Sequence, residues 1–176
     1  MVIKRVFLFL FTLTVFTPAY AAKGYVGFGL GQSEINQGLF GEYGDGFKVF
    51  GGVRLHPHLA VEAAYLDFGK PSQNLFGIET KYEAWAAAAW AKGLWPVGRT
   101  IELFAKAGWA HWEVDATTTL FGSTPSKTSS DGNDFAWGLG IAFNKWEKFS
   151  LQLEYEDINS KLDTITLWSV SGIYAF

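Results

Sequence analysis

The chain has no cysteine among its 176 residues. That removes disulfide frameworks, thiolate metal sites and thiol nucleophiles at once. Charge is scarce: Asp, Glu, Lys and Arg make up 18%, against 49% hydrophobic and 18% aromatic residues. An ordinary soluble domain carries more charge than this. Long hydrophobic runs are missing after the first segment. The longest, Ala84 to Ala91, has eight residues, well short of the roughly 20 that a membrane-spanning helix needs. Only three histidines occur, His56, His58 and His111, and no basic patch suggests nucleic acid.

What is there begins with a leader. Lys4 and Arg5 precede an apolar run over residues 6–16, and Pro18 is followed by Ala19-Tyr20-Ala21. A positive start, an apolar middle and a small-x-small end are the marks of a secretory signal peptide. Residues 1–21 are therefore expected to be cleaved, leaving 22–176 as one domain. Cleavage removes two of the 14 basic residues and none of the 17 acidic ones, so the mature balance is 12 minus 17, or −5. An exported, greasy chain without a spanning helix is either a secreted β-protein with a packed core or a barrel in an outer membrane.

The remaining pattern has a period of two. In residues 134–143, Phe135, Trp137, Leu139, Ile141 and Phe143 alternate with Asp134, Ala136, Gly138, Gly140 and Ala142. Such alternation marks a strand with two unlike faces. Eight such strands are predicted, at residues 24–32, 46–55, 59–68, 80–91, 100–113, 134–143, 148–157 and 164–176. In the fourth, alanines blur the alternation. Tyr82, Ala84, Ala86, Ala88 and Trp90 are assigned to its apolar face, which puts Lys81 and Glu83 opposite.

The connections alternate in length. Residues 56–58, 95–99 and 144–147 are tight turns; 33–45, 69–79 and 114–133 are longer and rich in Gly, Ser, Thr and Asn; 158–163 is modest. In an up-and-down meander this puts short turns on one rim and long loops on the other, as in bacterial outer-membrane barrels. An even strand count leaves both chain ends on the short-turn rim.

The two faces decide between the soluble and the membrane barrel. A soluble barrel needs long charged side chains on its outer wall. Here the non-greasy face is mostly Gly, Ala and Ser, which suits a narrow eight-stranded lumen. The apolar face carries no charge at the centre of any strand, and a Lys or Arg there costs about 2–4 kcal/mol in hydrocarbon. Most strands reach the roughly 9–11 residues that a span requires. Aromatic residues gather at strand ends, as interfacial girdles do: Trp90, Phe149, Tyr174 and Phe176 toward one rim, Tyr65, Tyr82, Trp109, Phe135, Tyr155 and Trp168 toward the other.

With these features the chain resembles the small eight-stranded outer-membrane barrels, the group of the OmpA transmembrane domain, the opacity proteins and OmpX. The resemblance runs from Gly24-Tyr25-Val26-Gly27 to Tyr174-Ala175-Phe176. It implies an all-β, antiparallel, up-and-down transmembrane barrel in a Gram-negative outer membrane, with lipid and lipopolysaccharide around it, as a monomer. It also implies that Tyr174 and Phe176 belong to the terminal signal presented to the barrel-assembly machinery. OmpA carries a periplasmic domain after its barrel, and this chain ends at the barrel, so peptidoglycan anchoring is not carried over.

The inward face is expected to hold a charge network: Lys48, Arg54, Lys81 and Lys106 against Glu62, Glu83, Glu102, Asp134, Glu154 and Glu156. Buried charges must be paired or solvated, so these groups would plug the barrel; a narrow ion path through them is the alternative. No catalytic, cofactor or metal site is assigned. His56 and His58 flank Pro57 in a turn. His111 could in principle serve a lipid-modifying enzyme by pairing with a serine of residues 123–130, but no spacing motif supports it. The long loops would carry any extracellular ligand site, with a structural or adhesin-like role foremost.

Overall fold

The computed structural model describes residues 23–37, 40–69, 72–75, 78–120, 126–159 and 164–176. The expected leader lies outside them. The described residues hold nine strands: β1 (Lys23–Gln37), β2 (Phe40–His56), β3 (Leu59–Asp67), β4 (Ser72–Leu75), β5 (Ile78–Val97), β6 (Ile101–Leu120), β7 (Ser126–Phe143), β8 (Phe149–Asn159) and β9 (Thr164–Ala175). Every neighbouring pair is antiparallel. β3 and β4 both pair with β5, one after the other, and share one place in the ring. The sheet therefore closes as an eight-stranded barrel, with β1 between β2 and β9.

Closure has a physical cause in the two faces. Val26, Phe28 and Leu30 of β1 point outward, and Gly27, Gly29 and Ser33 point in. The same division holds along β2, β3, β6, β7, β8 and β9. Phe28, Leu30, Leu139 and Val170 are each about half exposed or more, yet they sit in the middle of a wall. An exposed apolar wall of this extent is stable against hydrocarbon, where an open edge would leave backbone groups unsatisfied.

Two sequence expectations change. The fourth strand has the opposite register. Ala84, Ala86, Ala88 and Trp90 are buried in the lumen, and Glu83, Ala87, Ala89 and Ala91 face out. Trp90 is 3% exposed and is not a girdle residue; Glu83 is not a lumen charge. Alanine is small enough for the lumen and apolar enough for lipid, so residues 86–89 carry no preference. Glu83 lies beside Trp85, close to the long-hairpin rim, where an outward charge costs about 0–1 kcal/mol.

The long loops are also largely strand. β5 and β6 have 20 residues each and β7 has 18, far more than a span needs. Ladders β5–β6 and β6–β7 continue through Ile78↔Leu120 and Thr118↔Ser126. Ser, Thr and Gly-rich sequence favours loop, but paired strands projecting into water tolerate it. The turn at 95–99 is correspondingly shorter: β5 runs on to Val97, and residues 98–100 make the turn.

Aromatic rings circle the outside at both levels. Toward the long hairpins, Phe28, Phe47, Tyr65, Trp85 and His111 form a chain of ring contacts with centroids 5.8–6.3 Å apart. Trp109 meets Phe135 at 6.1 Å, and Trp137, Tyr155 and Trp168 follow. At the short-turn rim Phe149 and Tyr174 pack at 5.0 Å, and Phe176 is exposed. The Tyr82 side chain lies outside the described residues.

Candidate functional site

The lumen is layered. Nearest the long hairpins, Leu66, Phe68, Trp112, Ile158, Ile165 and Leu167 fill it with apolar side chains. Phe68 continues the inward parity of Ala60, Glu62, Ala64 and Leu66, and the chain turns just after it. Gly69 takes φ +76°, its N–H donates to Asp67 Oδ1 at 2.8 Å, and Ser33 Oγ donates to the Phe68 carbonyl at 2.6 Å. Asp134 sits at this level, accepting a 2.8 Å hydrogen bond from Trp112 Nε1. It is not part of the charge cluster below.

That cluster fills the middle. Lys106 Nζ lies 3.2 Å from Glu62, 2.7 Å from Glu154 and 2.7 Å from Glu156. Lys48 bridges Glu154 and Glu156. Lys92 reaches Glu62 at 3.1 Å and donates to Gln152 Oε1 at 3.0 Å. Tyr25 donates to Glu62 at 3.0 Å. The strands place these groups by parity alone: Lys48 is on β2, Glu62 on β3, Lys92 on β5, Lys106 on β6, and Glu154 and Glu156 on β8. Lys48 has no exposed surface at all. Ring faces supply further solvation: Lys106 lies 4.3 Å over Trp90, and Lys92 lies 4.1 Å over Phe104. Three lysines against three glutamates leave the cluster formally neutral, which is what a low-dielectric interior demands.

Arg54 and Glu102 form a separate pair at 2.6 Å, nearer the short-turn rim. Sequence reasoning grouped ten charges into one network. The structure gathers Lys48, Glu62, Lys106, Glu154 and Glu156, separates Arg54–Glu102 and Asp134, and turns Glu83 outward; the Lys81 side chain lies outside the described residues. Lys92, Gln152 and Tyr25 were missed. Lys92 shares parity with Trp90, so a correct register for the fourth strand would have found it.

Below the cluster, a cavity of about 550 Å³ opens toward the short-turn rim. On the outside, His111 Nδ1 lies 3.2 Å from Asn133 Oδ1 and its ring meets Trp85; of the serine segment 123–130, residues 123–125 lie outside the described residues. His58 N–H donates to His56 Nδ1, and His58 Nδ1 lies 3.0 Å from the Leu94 carbonyl oxygen. No group of three or more potential metal ligands occurs among the described residues.

Residues 7–176 match the family described as "Outer membrane protein beta-barrel domain". The chain belongs to that family. Outer membrane protein A of Shigella flexneri and of Salmonella typhi are each 23% identical over 150 residues, covering 81% of this chain and 43% of theirs. The chain thus spans less than half the length of these curated relatives. Among solved structures, the attachment invasion locus protein Ail of Yersinia pestis superposes with a TM-score of 0.65 at 15% identity, over 88% of this chain and 99% of Ail. Neisserial surface protein A gives 0.69 at 15% identity, over 87% and 97%. At such identities the likeness is one of fold. As an outer-membrane barrel of Gram-negative type, the chain has its short turns on the periplasmic side and its long hairpins outside.

Proposed function

We propose that this barrel is a structural outer-membrane protein whose long hairpins serve surface interaction, with a lumen closed to solutes. The observation that carries the closed lumen is its double seal. A neutral, fully paired charge layer lies under a packed apolar layer, so an ion would have to displace both. Lipid and lipopolysaccharide contact the girdles, and the barrel-assembly machinery reads Tyr174 and Phe176. The surface role is supported by the length of β5, β6 and β7, whose pairing continues well past a bilayer.

The name of the fold relative Ail accords with a surface role. Its complex with a heparin analogue does not carry over to this chain. Among the described residues, Glu34, Asp45, Asp67, Glu113, Asp115 and Asp131 crowd the outer half of this barrel, against Lys81 on β5 and Lys127 on β7. That balance repels polysulfated ligands.

A narrow ion path is the second reading, favoured by the cavity and by the detached Arg54–Glu102 pair. Planar-bilayer recording of refolded protein tests the choice. A silent bilayer is expected; steady, reproducible conductance steps would establish the pore and remove the plug. Cell- and matrix-binding assays test the hairpins, with binding lost when the segment between β6 and β7 is shortened.

A further inference from the structure

The cavity below the charge cluster is built unlike the rest of the lumen. It is a blind vestibule: its floor is Lys92 and Gln152, beyond which the charge and apolar layers close the way. Besides Lys92, which the central cluster already balances, three cations line it, Lys23, Arg54 and Lys145, against two carboxylates, Glu102 and Glu147. The central cluster is neutral; this chamber is not. Arg54 spends one N–H on Glu102 and is 36% exposed on its side chain, so part of its donor fork is unspent. Lys92 spends two of its three donors, on Glu62 and Gln152. Beside these cations the wall is apolar, with Leu94, Trp146 and Ile173. Outside the mouth, Arg99 and Lys148 are exposed on the same rim. A blind chamber with low-dielectric walls focuses such a field and concentrates anions. Its size lies in the range of small-ligand sites.

We propose that this periplasm-facing vestibule binds a small soluble organic anion, a carboxylate on a short apolar body. The carboxylate would sit between Arg54 and Lys92, with the apolar part against Leu94 and Trp146. Arg54 accounts for specificity toward carboxylate, since its planar fork matches two oxygens. The blind floor rests on the closed-lumen reading, which bilayer recording tests separately from hexanoate binding.

The test uses the full barrel in phosphatidylcholine nanodiscs, titrated with hexanoate and followed by the indole N–H resonance of Trp146, assigned with Trp146→Phe. A saturable shift is expected with hexanoate and none with hexanol or hexylammonium. The paired variant Arg54→Gln/Glu102→Gln keeps a neutral hydrogen-bonding pair and so keeps the fold. Together with the exposed-turn variant Lys145→Gln, it should weaken hexanoate binding, Arg54→Gln/Glu102→Gln by roughly tenfold, as for one lost charge-assisted hydrogen bond. A shift that grows without saturating, or that hexanol reproduces, would mean bilayer partitioning and overturn the site. Saturable binding unchanged in both variants would overturn the assigned residues.

Discussion

Lys106 is held by three carboxylates at once, and each of them depends on it. Replacing it by methionine would leave Glu62, Glu154 and Glu156 sharing Lys48 and Lys92 in a fully buried space. Breaking a buried pair from one side costs about 3–5 kcal/mol. Lys106→Met should therefore lower unfolding stability in lipid vesicles by at least about 3 kcal/mol, measured by urea titration of tryptophan fluorescence. Lys145→Met, on an exposed turn, should change it by less than about 0.5 kcal/mol. The glycines show the same tightness. A Cβ on Gly27 would stand 2.2 Å from the Phe50 ring, so that ring can lie flat in the lumen only over a residue without a side chain. At this scale the sequence was readable wherever the two faces differ. Lys48, Glu62, Lys106, Glu154 and Glu156 could be placed inward because each falls on the parity opposite the large apolar residues of its strand. Which of the inward charges meet depends on strand stagger, which parity does not encode; hence Asp134 and the Arg54–Glu102 pair were grouped with a cluster they do not join.

At the scale of a strand, the alternation that stands out in the sequence is a lipid wall. β7 presents Phe135, Leu139 and Phe143 outward and Ala136, Gly138 and Ala142 inward. Leu139 is at the middle of the spanning part, so Leu139→Arg should destabilise the folded barrel by about 2–4 kcal/mol. The same substitution at Ser129, on the projecting part of β7, should have little effect. Refolding yields into vesicles give the comparison, and equal losses at both positions would contradict the lipid-facing assignment. β5 is where reading failed. Its four consecutive alanines fit either side, Trp85 and Trp90 lie on opposite parities, and the polar Glu83 was a false guide because it lies at the interface. The break between β3 and β4 was likewise invisible. It depends on Gly69 at φ +76°, where a Cβ would come 2.2 Å from the Asp45 carbonyl oxygen. Gly69→Ala should cost more than about 1 kcal/mol, and should loosen the inward Phe68 that seals the outer lumen.

The whole molecule has a charge axis that composition conceals. Glu34, Asp45, Asp67, Glu113, Asp115 and Asp131 lie toward the long hairpins, while Lys23, Arg99, Lys145 and Lys148 mark the short-turn rim. The net charge of the sequence says nothing of this separation; it emerges only when parity and strand direction are combined. The same geometry sets how the barrel must assemble. The first and last described residues meet at the short-turn rim, where Phe176 N–H donates to the Gly24 carbonyl and the Phe176 ring covers Gly24. β1 and β9 pair from Tyr25↔Ala175 to Asn36↔Thr164, so the last strand can zip to the first only when the ring is complete. Phe176 then has two roles, as the proposed assembly signal and as a closing contact, and these can be separated. Phe176→Ser should lower the amount of protein reaching the outer membrane several-fold in cells. Refolding of the purified variant into vesicles needs no assembly machinery, and its loss should be confined to one exposed ring, about 1–2 kcal/mol. A heat-modifiability gel reads both: the folded barrel withstands SDS until boiled, and the folded fraction is the band that shifts. If the variant folds as poorly in vesicles as in cells, Phe176 acts through closure and the signal role falls. If it reaches the membrane at the normal level, both the signal and the closure argument lose their basis.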